Sequence, residues 1–422
     1  MKDYRLVLIF AISIIDVVAA NGLGALATKF VVALPNKPLL LTGGTALMLC
    51  IQLAFSPSVG LLSDKIGRRP VVIGATIASL FTSLFLLPVQ TWGYLTNRVA
   101  KGSTNGLYAV MRSAASDILD KDELIKYSSI LSFIIGTGVI VGPMVTGLFL
   151  LAFPDLRIDA RPTVLFLIAL GALNILLAFL FKETSDKEKE KVDIKELRDK
   201  ALNSLKVVTL WQQLGESDKQ LPGIKAIFIL NMLGTLSFGY YNFFIAFLTQ
   251  SDINMDVLGV ARFFVFFGAL SLLANVVFFR FIVNHVDKQK TIIAIVSLGI
   301  VLQILYIFSE SSVTLLYVVA GVDAITVSLI GGLIGGILTR ITKEGGGVGE
   351  MFGNIQALGG VASFVTALVN SLLAGVSTMA PFIFCAISSA VVIWWTTRLP
   401  EETKKYTQIR QEGPEEPEPA GA

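Results

Sequence analysis

The sequence predicts an all-α membrane protein with twelve transmembrane helices in two similar six-helix halves. Three observations predict this fold class. First, the 422-residue chain is 54% hydrophobic and only 15% charged, whereas soluble proteins carry about 25% charged residues. Second, long runs that are apolar on all faces recur along the chain, which excludes a β-barrel because its strands would alternate. Third, short sequence echoes fall at equivalent places in the two halves.

The apolar runs define the individual spans. A transmembrane helix needs roughly 20 apolar residues, and twelve runs have about this length. We number them spans 1 to 12, and they cover residues 6–30, 42–62, 71–90, 92–117, 128–153, 163–181, 223–249, 257–283, 290–309, 312–340, 350–376 and 379–398.

The distribution of lysine and arginine predicts the orientation, because these residues concentrate in cytoplasmic loops. One set of span ends carries most of the cations. The opposite set holds Lys29, Lys37, Arg157, Arg161 and Arg262. Both termini and the interval 182–222 are therefore predicted to be cytoplasmic. We expect Arg262, at the outer end of span 8, to contact lipid headgroups or to act at a gate.

The domain organisation follows from these spans. Residues 1–181 and 223–399 form the two six-helix halves. The interval 182–222 has apolar residues at helical spacing, which predicts an amphipathic helix on the inner leaflet. Residues 400–422 are a cytoplasmic tail that we expect to be disordered, because its end contains almost no apolar surface.

Internal repetition supports the two halves. Asp64-Lys65 after span 2 has a counterpart in Asp287-Lys288 after span 8. A second echo pairs Lys182-Glu183-Thr184 with Glu401-Glu402-Thr403. Repeated halves are typical of secondary transporters, which bind their substrate near the midplane between the repeats.

Three motifs carry a resemblance to a known family. They are Gly60-x-Leu62-x-Asp64-Lys65-x-Gly67-Arg68-Arg69 between spans 2 and 3, Arg98-x-x-x-Gly102 in span 4, and Gly138-x-x-x-Gly142-Pro143-x-x-x-Gly147 in span 5. They resemble signatures of the major facilitator superfamily, and the third resembles the signature of its antiporter branch. The stretch from Leu47 to about Gly147 is similar to tetracycline/proton antiporters and bacterial multidrug exporters. The resemblance implies a monomer in the bacterial cytoplasmic membrane that exports a small amphipathic compound in exchange for protons.

The loop between spans 2 and 3 is expected to latch the cytoplasmic side. Asp64 can face the positive N-terminal end of span 11, and Arg68 or Arg69 can pair with Asp117. Alternatively, the loop only anchors the topology. The residues expected to form the latch are Gly60, Asp64, Lys65, Gly67, Arg68, Arg69, Asp117 and Gly349.

The glycines of span 5 permit close helix approach, and its proline removes one helical hydrogen bond. These residues predict a bent, tightly packed helix that prevents leak, or else ordinary small-residue packing. They are Gly138, Gly142, Pro143 and Gly147.

Charged residues inside the spans are the strongest functional signal, because each costs roughly 3 kcal/mol unless it is paired or hydrated. Asp16 lies about 15 Å along span 1, near the midplane, and Arg98 and Lys101 share a similar depth. We expect Asp16 to carry the proton and Arg98 to tune it, and the resemblance links Arg98 to proton translocation. The alternative is a static pair that holds span 1 to span 4. Asp323 in span 10 is either a second proton site or a contact for a cationic substrate.

Further polar and aromatic residues within the spans are candidates for the substrate cavity, although aromatic residues can equally serve packing. They are Asn21, Gln52, Asn105, Tyr108, Asn231, Phe238, Tyr241, Asn242 and Gln303.

Other function classes find little support. A net charge of +3 gives no indication of a nucleic-acid partner. The single histidine His285 cannot form a metal site alone, and Cys50 and Cys385 read as small apolar residues. No nucleotide-binding loop is present, so we expect no enzyme and no cofactor beyond a coupling proton. The alternatives are a proton-coupled symporter or facilitator for a small metabolite, and a membrane receptor or scaffold that transports nothing.

Overall fold

The computed structural model describes residues 4–31, 37–119, 131, 138–185, 190–204, 206–282, 285–344 and 348–407. Every regular element in this part of the chain is helical. The helices are α1 (Tyr4–Asn21), α2 (Lys37–Ile66), α3 (Arg68–Leu84), α4 (Thr91–Thr104), α5 (Leu107–Ile118), α6 (Gly138–Ala152), α7 (Arg161–Leu180), α8 (Ile194–Ser204), α9 (Val207–Gln220), α10 (Ile224–Ser237), α11 (Phe244–Gln250), α12 (Val257–Val277), α13 (Lys288–Phe308), α14 (Val313–Glu344), α15 (Val348–Val376), α16 (Ala380–Thr397) and α17 (Glu401–Thr407).

Within the described residues, each predicted span lies on a helix or on a broken helix, and residues 128–130 and 132–137 of span 5 lie outside this part of the chain. Within the described residues, nine helical stretches are long and apolar enough to cross a membrane, and a shorter apolar one covers Ile140–Ala152. Spans 3 and 4 fall below that length because α3 has 17 residues and span 4 is divided into α4 and α5. The all-helical membrane fold predicted from composition is confirmed.

Span 7 is also interrupted, and this interruption shapes the site. The helix leaves α-geometry at Phe238, forms a 3₁₀ segment over Gly239–Phe243 and resumes as α11. A Cβ atom at Gly239 would lie within van der Waals overlap of the Thr366 side chain on α15. Glycine at this position therefore lets the broken helix approach α15 closely.

The linker between the halves contains two helices, where the sequence predicted one. α8 packs against α2 and α9 packs against α10 and α15. The Ser58 hydroxyl donates to the Leu197 carbonyl at 2.8 Å, and Lys225 lies over the Trp211 ring at 5.1 Å. α8 thus contacts the first half and α9 contacts the second half. Because the two sets of contacts use separate stretches of the linker, the amphipathic segment forms two helices instead of one.

The two halves meet along α2 and α15 and along α6 and α12. The Ser371 hydroxyl of α15 donates to the Leu39 carbonyl of α2 at 2.9 Å. A Cβ atom at Gly147 of α6 would lie 2.9 Å from the Ala261 carbonyl of α12. Both contacts lie at the ends of these helices that the charge distribution predicts to be outside.

The tail differs in part from the sequence prediction. Residues 401–407 of the predicted disordered segment form α17, and Thr403 and Thr407 are buried. Residues 408–422 lie outside the described part of the chain.

Candidate functional site

A buried ion pair joins α1 and α4. Lys101 Nζ lies 2.6 Å from Asp16 Oδ1, and Asp16 and Lys101 are 1% and 2% exposed. Ser79 of α3 completes the cluster, because its hydroxyl donates to Asp16 Oδ1 at 2.7 Å and accepts from Lys101 at 2.5 Å. Three helices therefore converge on one carboxylate.

The second oxygen of this carboxylate is available. Asp16 Oδ2 is buried and has no partner with regular hydrogen-bond geometry among the described residues, and the Tyr108 hydroxyl lies beside the same carboxylate, close enough for a weak hydrogen bond. A buried acceptor without a donor is costly. Oδ2 is therefore a suitable point for a proton or for a substrate donor.

Arg98 occupies a separate position, one turn before Lys101 on α4. It donates to the Ala20 carbonyl at 3.0 Å and to Asn97 Oδ1 at 2.8 Å, and it lies over the Tyr94 ring at 5.4 Å. Within the described residues its side chain forms no salt bridge. The sequence suggested either cation as the neighbour of Asp16, and the structure brings Lys101 into direct contact.

A second buried carboxylate lies in the other half and has a different environment. The Asp323 side chain on α14 accepts hydrogen bonds from Tyr240, Tyr241 and Tyr306, each at 2.8 Å, and from Thr326 at 3.0 Å. Asp323 is fully buried. Within the described residues no cation lies at salt-bridge distance, so four neutral hydroxyl groups solvate this carboxylate.

The interrupted part of span 7 supplies two of these hydroxyl donors. Tyr240 and Tyr241 are adjacent in the 3₁₀ segment, and both hydroxyl groups reach Asp323 at 2.8 Å. The two hydroxyl groups are also 2.9 Å apart. The rings pack within an aromatic cluster that includes Phe244 and Phe382.

The two sites occupy equivalent places in the two halves. Lys101 lies ten residues after the first residue of α4, and Asp323 lies ten residues after the first residue of α14. One half therefore has a cation where the other has an anion.

The remaining cavity candidates are dispersed. The Asn105 side-chain amide donates to Gln52 at 3.0 Å. Gln303 is buried and donates to the Ser237 carbonyl at 2.9 Å, and Phe238 contacts Tyr240 with ring centroids 6.3 Å apart. Asn21 donates to the Val17 carbonyl on its own helix. Asn231 is half-buried on α10, and the side chain of Asn242 lies outside the described part of the chain.

The glycines of α6 make the close contacts expected from the sequence. A Cβ atom at Gly138 would overlap Val17, and one at Gly142 would lie 2.7 Å from Asn21 Cβ, both on α1. Pro143 lies inside the helix. The motif therefore fixes the distance between α6 and the helix that carries Asp16.

The loop between α2 and α3 forms a cluster within the first half. Arg68 Nε donates to Asp117 Oδ2 at 3.0 Å, and the same guanidinium contacts Asp64 at 2.5 Å. The Thr184 hydroxyl also donates to Asp117, at 3.1 Å. Arg68 is thus the expected partner of Asp117, whereas exposed Arg69 donates to the Phe179 carbonyl. The surroundings of Gly349 at the start of α15 lie outside the described part of the chain.

Glu183 is a member of this cluster that the functional interpretation of the sequence missed. Its carboxylate accepts the backbone N–H groups of Arg68 at 2.8 Å and Arg69 at 3.1 Å, at the first turn of α3. A carboxylate there satisfies free amide groups and faces the positive end of the helix dipole. The echo between residues 182–184 and 401–403 was the signal that could have identified it.

Lys65 extends the cluster to the linker. Its ammonium group lies 2.5 Å from Glu196 of α8 and 3.8 Å from Glu190, and its carbonyl accepts the Glu190 N–H at 2.9 Å. The motif thus connects the first half to α8. Gly60 has open space around its Cα atom.

Glu183→Gln is expected to reduce stability by about 1 kcal/mol at neutral pH, the typical upper value for a partly exposed charge at a helix terminus. Burial alone would raise the pKa of Glu183, but N–H donors from Ser185, Arg68, Arg69 and Thr184 outweigh it and lower the pKa. A lowered folded-state pKa stabilises the protein above the ordinary glutamate pKa, and this stabilisation is lost as the pH falls through the folded-state value.

Thermal unfolding between pH 7 and pH 3.5 tests this expectation. The difference between wild type and Glu183→Gln should shrink below about pH 4.5. Glu216→Gln, at an exposed position on α9, is the control. If the difference in unfolding temperature between wild type and Glu183→Gln does not change with pH, the assignment of the Glu183 carboxylate as the cap of α3 is contradicted.

Comparison with known proteins places these features in a family. The family model described as Major Facilitator Superfamily matches residues 6–319. The chain is 32% identical over 144 residues to the class H tetracycline resistance protein of Pasteurella multocida, a match that covers 34% of this chain and 35% of that protein. It is 23% identical over 269 residues to the class E protein of Escherichia coli, covering 63% and 62%. These matches thus span between about a third and two thirds of the relatives' length.

A solved structure agrees with the fold. The human organic anion transporter MFSD10 (TETRAN) superposes with a TM-score of 0.66 at 15% identity, over 94% of this chain and all of that chain. This similarity concerns the fold alone. The family model covers about three quarters of the sequence, and it shows that the chain belongs to the Major Facilitator Superfamily.

Proposed function

We propose that this protein is a secondary transporter that exports a small amphipathic organic compound in exchange for protons. One observation carries the proposal: the buried cluster of Asp16, Lys101 and Ser79, where α1, α3 and α4 meet. Ionisable groups inside membrane helices are costly and typically mark proton or substrate pathways. A structural anchor could be built from apolar residues without this cost.

The chemistry of the cluster suits competition between a proton and a substrate. In the ionised state Asp16 is neutralised by Lys101 and accepts from Ser79. A proton on Asp16 removes the charge that holds Lys101, and a donor group on the substrate can occupy Oδ2 only when the proton is absent. Because both ligands need the same carboxylate, each bound ligand weakens the other.

The relatives support the choice of substrate class. Two of them are named tetracycline resistance proteins, and tetracycline is a small amphipathic compound. The aromatic surroundings of Asp323 offer a second position where a proton or a cationic substrate can bind. The lysine and arginine distribution supports cytoplasmic termini. The bacterial relatives support a place in the bacterial cytoplasmic membrane, and we propose that the protein acts as a monomer.

Everted membrane vesicles test the proposal. Respiration acidifies their interior and quenches a pH-sensitive dye, and an exported substrate should restore the fluorescence. The probes are tetracycline and a panel of lipophilic cations. We expect wild type to restore fluorescence with at least one probe and Asp16→Asn to lose this response, because a neutral amide does not exchange the proton. No response from wild type with any probe contradicts the proposal, and further quenching on substrate addition indicates symport.

Two further variants locate the proton site. Asp323→Asn should retain part of the response if Asp323 contributes only to substrate binding, and should abolish it if Asp323 is the coupling group. Asp155→Asn, at an exposed position after α6, is the control. Full proton-coupled transport by Asp16→Asn would refute the assignment to Asp16.

A further inference from the structure

A cavity in the described part of the protein lies away from both carboxylates. It is a groove of about 640 Å³ between α12 and α14. Its floor includes Phe266, Leu270 and Gly321, and its rim is open, because Val318 and Ile325 are 62% and 44% exposed. The lining is therefore accessible from the side of the helix bundle, where the bilayer lies.

The dimensions of the groove match one leaflet. Its lining on α14 runs from Val313 to Ile325, which is about 18 Å at 1.5 Å per residue. The hydrocarbon core of a bilayer is about 30 Å thick, so one leaflet contributes about 15 Å. Gly321 deepens the groove, because a Cβ atom there would lie 3.3 Å from the Phe266 ring.

A cation stands at the end of the groove nearest the membrane surface. Arg262, Phe266 and Leu270 follow one another at four-residue intervals on α12, so they share one face of the helix. Arg262 is exposed and lies close enough to Tyr317 of α14 for an electrostatic interaction. Among the described residues no carboxylate lies at salt-bridge distance from Arg262. Its charge is thus available to an external anion.

We propose that this groove binds one anionic phospholipid, with an acyl chain along Phe266, Leu270 and Gly321 and with its phosphate at Arg262. The apolar lining fits the chain, and the guanidinium fits the phosphate through charge-assisted hydrogen bonds. The charge distribution of the spans places this lipid in the outer leaflet. The lipid groove shares no residue with the proposed proton site, so the lipid proposal does not depend on the transport proposal.

Lipid retention measured by native mass spectrometry tests the headgroup contact. Wild-type protein in detergent is titrated with phosphatidylglycerol or with phosphatidylcholine of the same chain length. Arg262→Gln should weaken phosphatidylglycerol binding about fivefold, the factor expected for about 1 kcal/mol from one basic residue near a membrane surface. Arg157→Gln, at another arginine predicted to be on the outer side, should leave binding unchanged. Equal binding by wild type and Arg262→Gln would overturn the proposal.

The chain contact is tested by filling the groove. Gly321→Leu should reduce retention of both lipids. Gly74→Leu on the exposed face of α3 should not, because a Cβ atom at Gly74 would meet nothing within 4 Å. Thermal unfolding of each variant separates loss of the groove from loss of the fold. Unchanged retention by folded Gly321→Leu would show that the lipid does not occupy the groove.

Discussion

Lys101→Met is expected to destabilise the protein by about 3–5 kcal/mol, the range observed when one partner of a buried ion pair is removed. The variant leaves the Asp16 carboxylate buried at 1% exposure, with the Ser79 hydroxyl as its hydrogen-bond donor. Thermal unfolding in detergent measures the loss. Lys195→Met, at an exposed lysine of α8, is the matched control and should unfold near the wild-type temperature.

The double variant Asp16→Asn/Lys101→Met separates stability from transport. Replacing both partners of a buried pair by neutral groups of similar volume is often close to neutral for stability. We therefore expect the double variant to recover most of the stability lost in Lys101→Met while remaining inactive in the vesicle assay. Wild-type stability of the Lys101→Met single variant would show that the pair is not formed in the folded protein.

Gly67→Ala is expected to destabilise the protein by about 3 kcal/mol. Gly67 has φ +100° and ψ 158°, a conformation that is almost confined to glycine and costs another residue about 1–3 kcal/mol. A Cβ atom would also overlap the Glu183 carboxylate that caps α3. Displacing this carboxylate removes a further contribution of up to about 1 kcal/mol.

The motif supplies its own control. Gly60→Ala, seven residues earlier in the same motif, meets no atom within 4 Å and should stabilise α2 slightly, because alanine is the better helix former. A double-mutant cycle then tests the mechanism: Gly67→Ala should cost less in a Glu183→Ala background, since the overlap is gone. Equal costs in the two backgrounds would assign the whole effect to backbone strain.

The two buried carboxylates have different surroundings. Asp16 has a cation and an available oxygen, whereas Asp323 is enclosed by four hydroxyl donors. Sequence reasoning identified both residues from one fact, a charge inside an apolar run. It could not distinguish them, because Ser79, Tyr240 and Tyr306 are distant in sequence and none is charged.

In the cluster around the loop between α2 and α3, sequence reasoning likewise identified the charged pair but missed a partner that is distant in sequence. The spacing of Asp64 and Arg68 and the position of Asp117 at the end of span 4 predicted an ion pair, and the structure contains the Arg68–Asp117 contact. Glu183 lies more than 110 residues from Arg68, on a segment that the sequence assigned to the linker. Only the packing of α7 beside α3 brings its carboxylate to the helix terminus.

Local hydropathy was enough to predict the fold class and the placement of the spans. A chain that crosses a bilayer must satisfy its backbone hydrogen bonds internally, so it crosses as long apolar helices, and these are visible as long apolar runs in the sequence. The same pattern also showed which residues are costly enough to indicate function. It did not show which cation meets Asp16, where spans 4 and 7 are interrupted, or how Glu183 caps α3. These features depend on contacts between distant segments, and such contacts are set by the packing of whole helices, which no local pattern in the chain specifies.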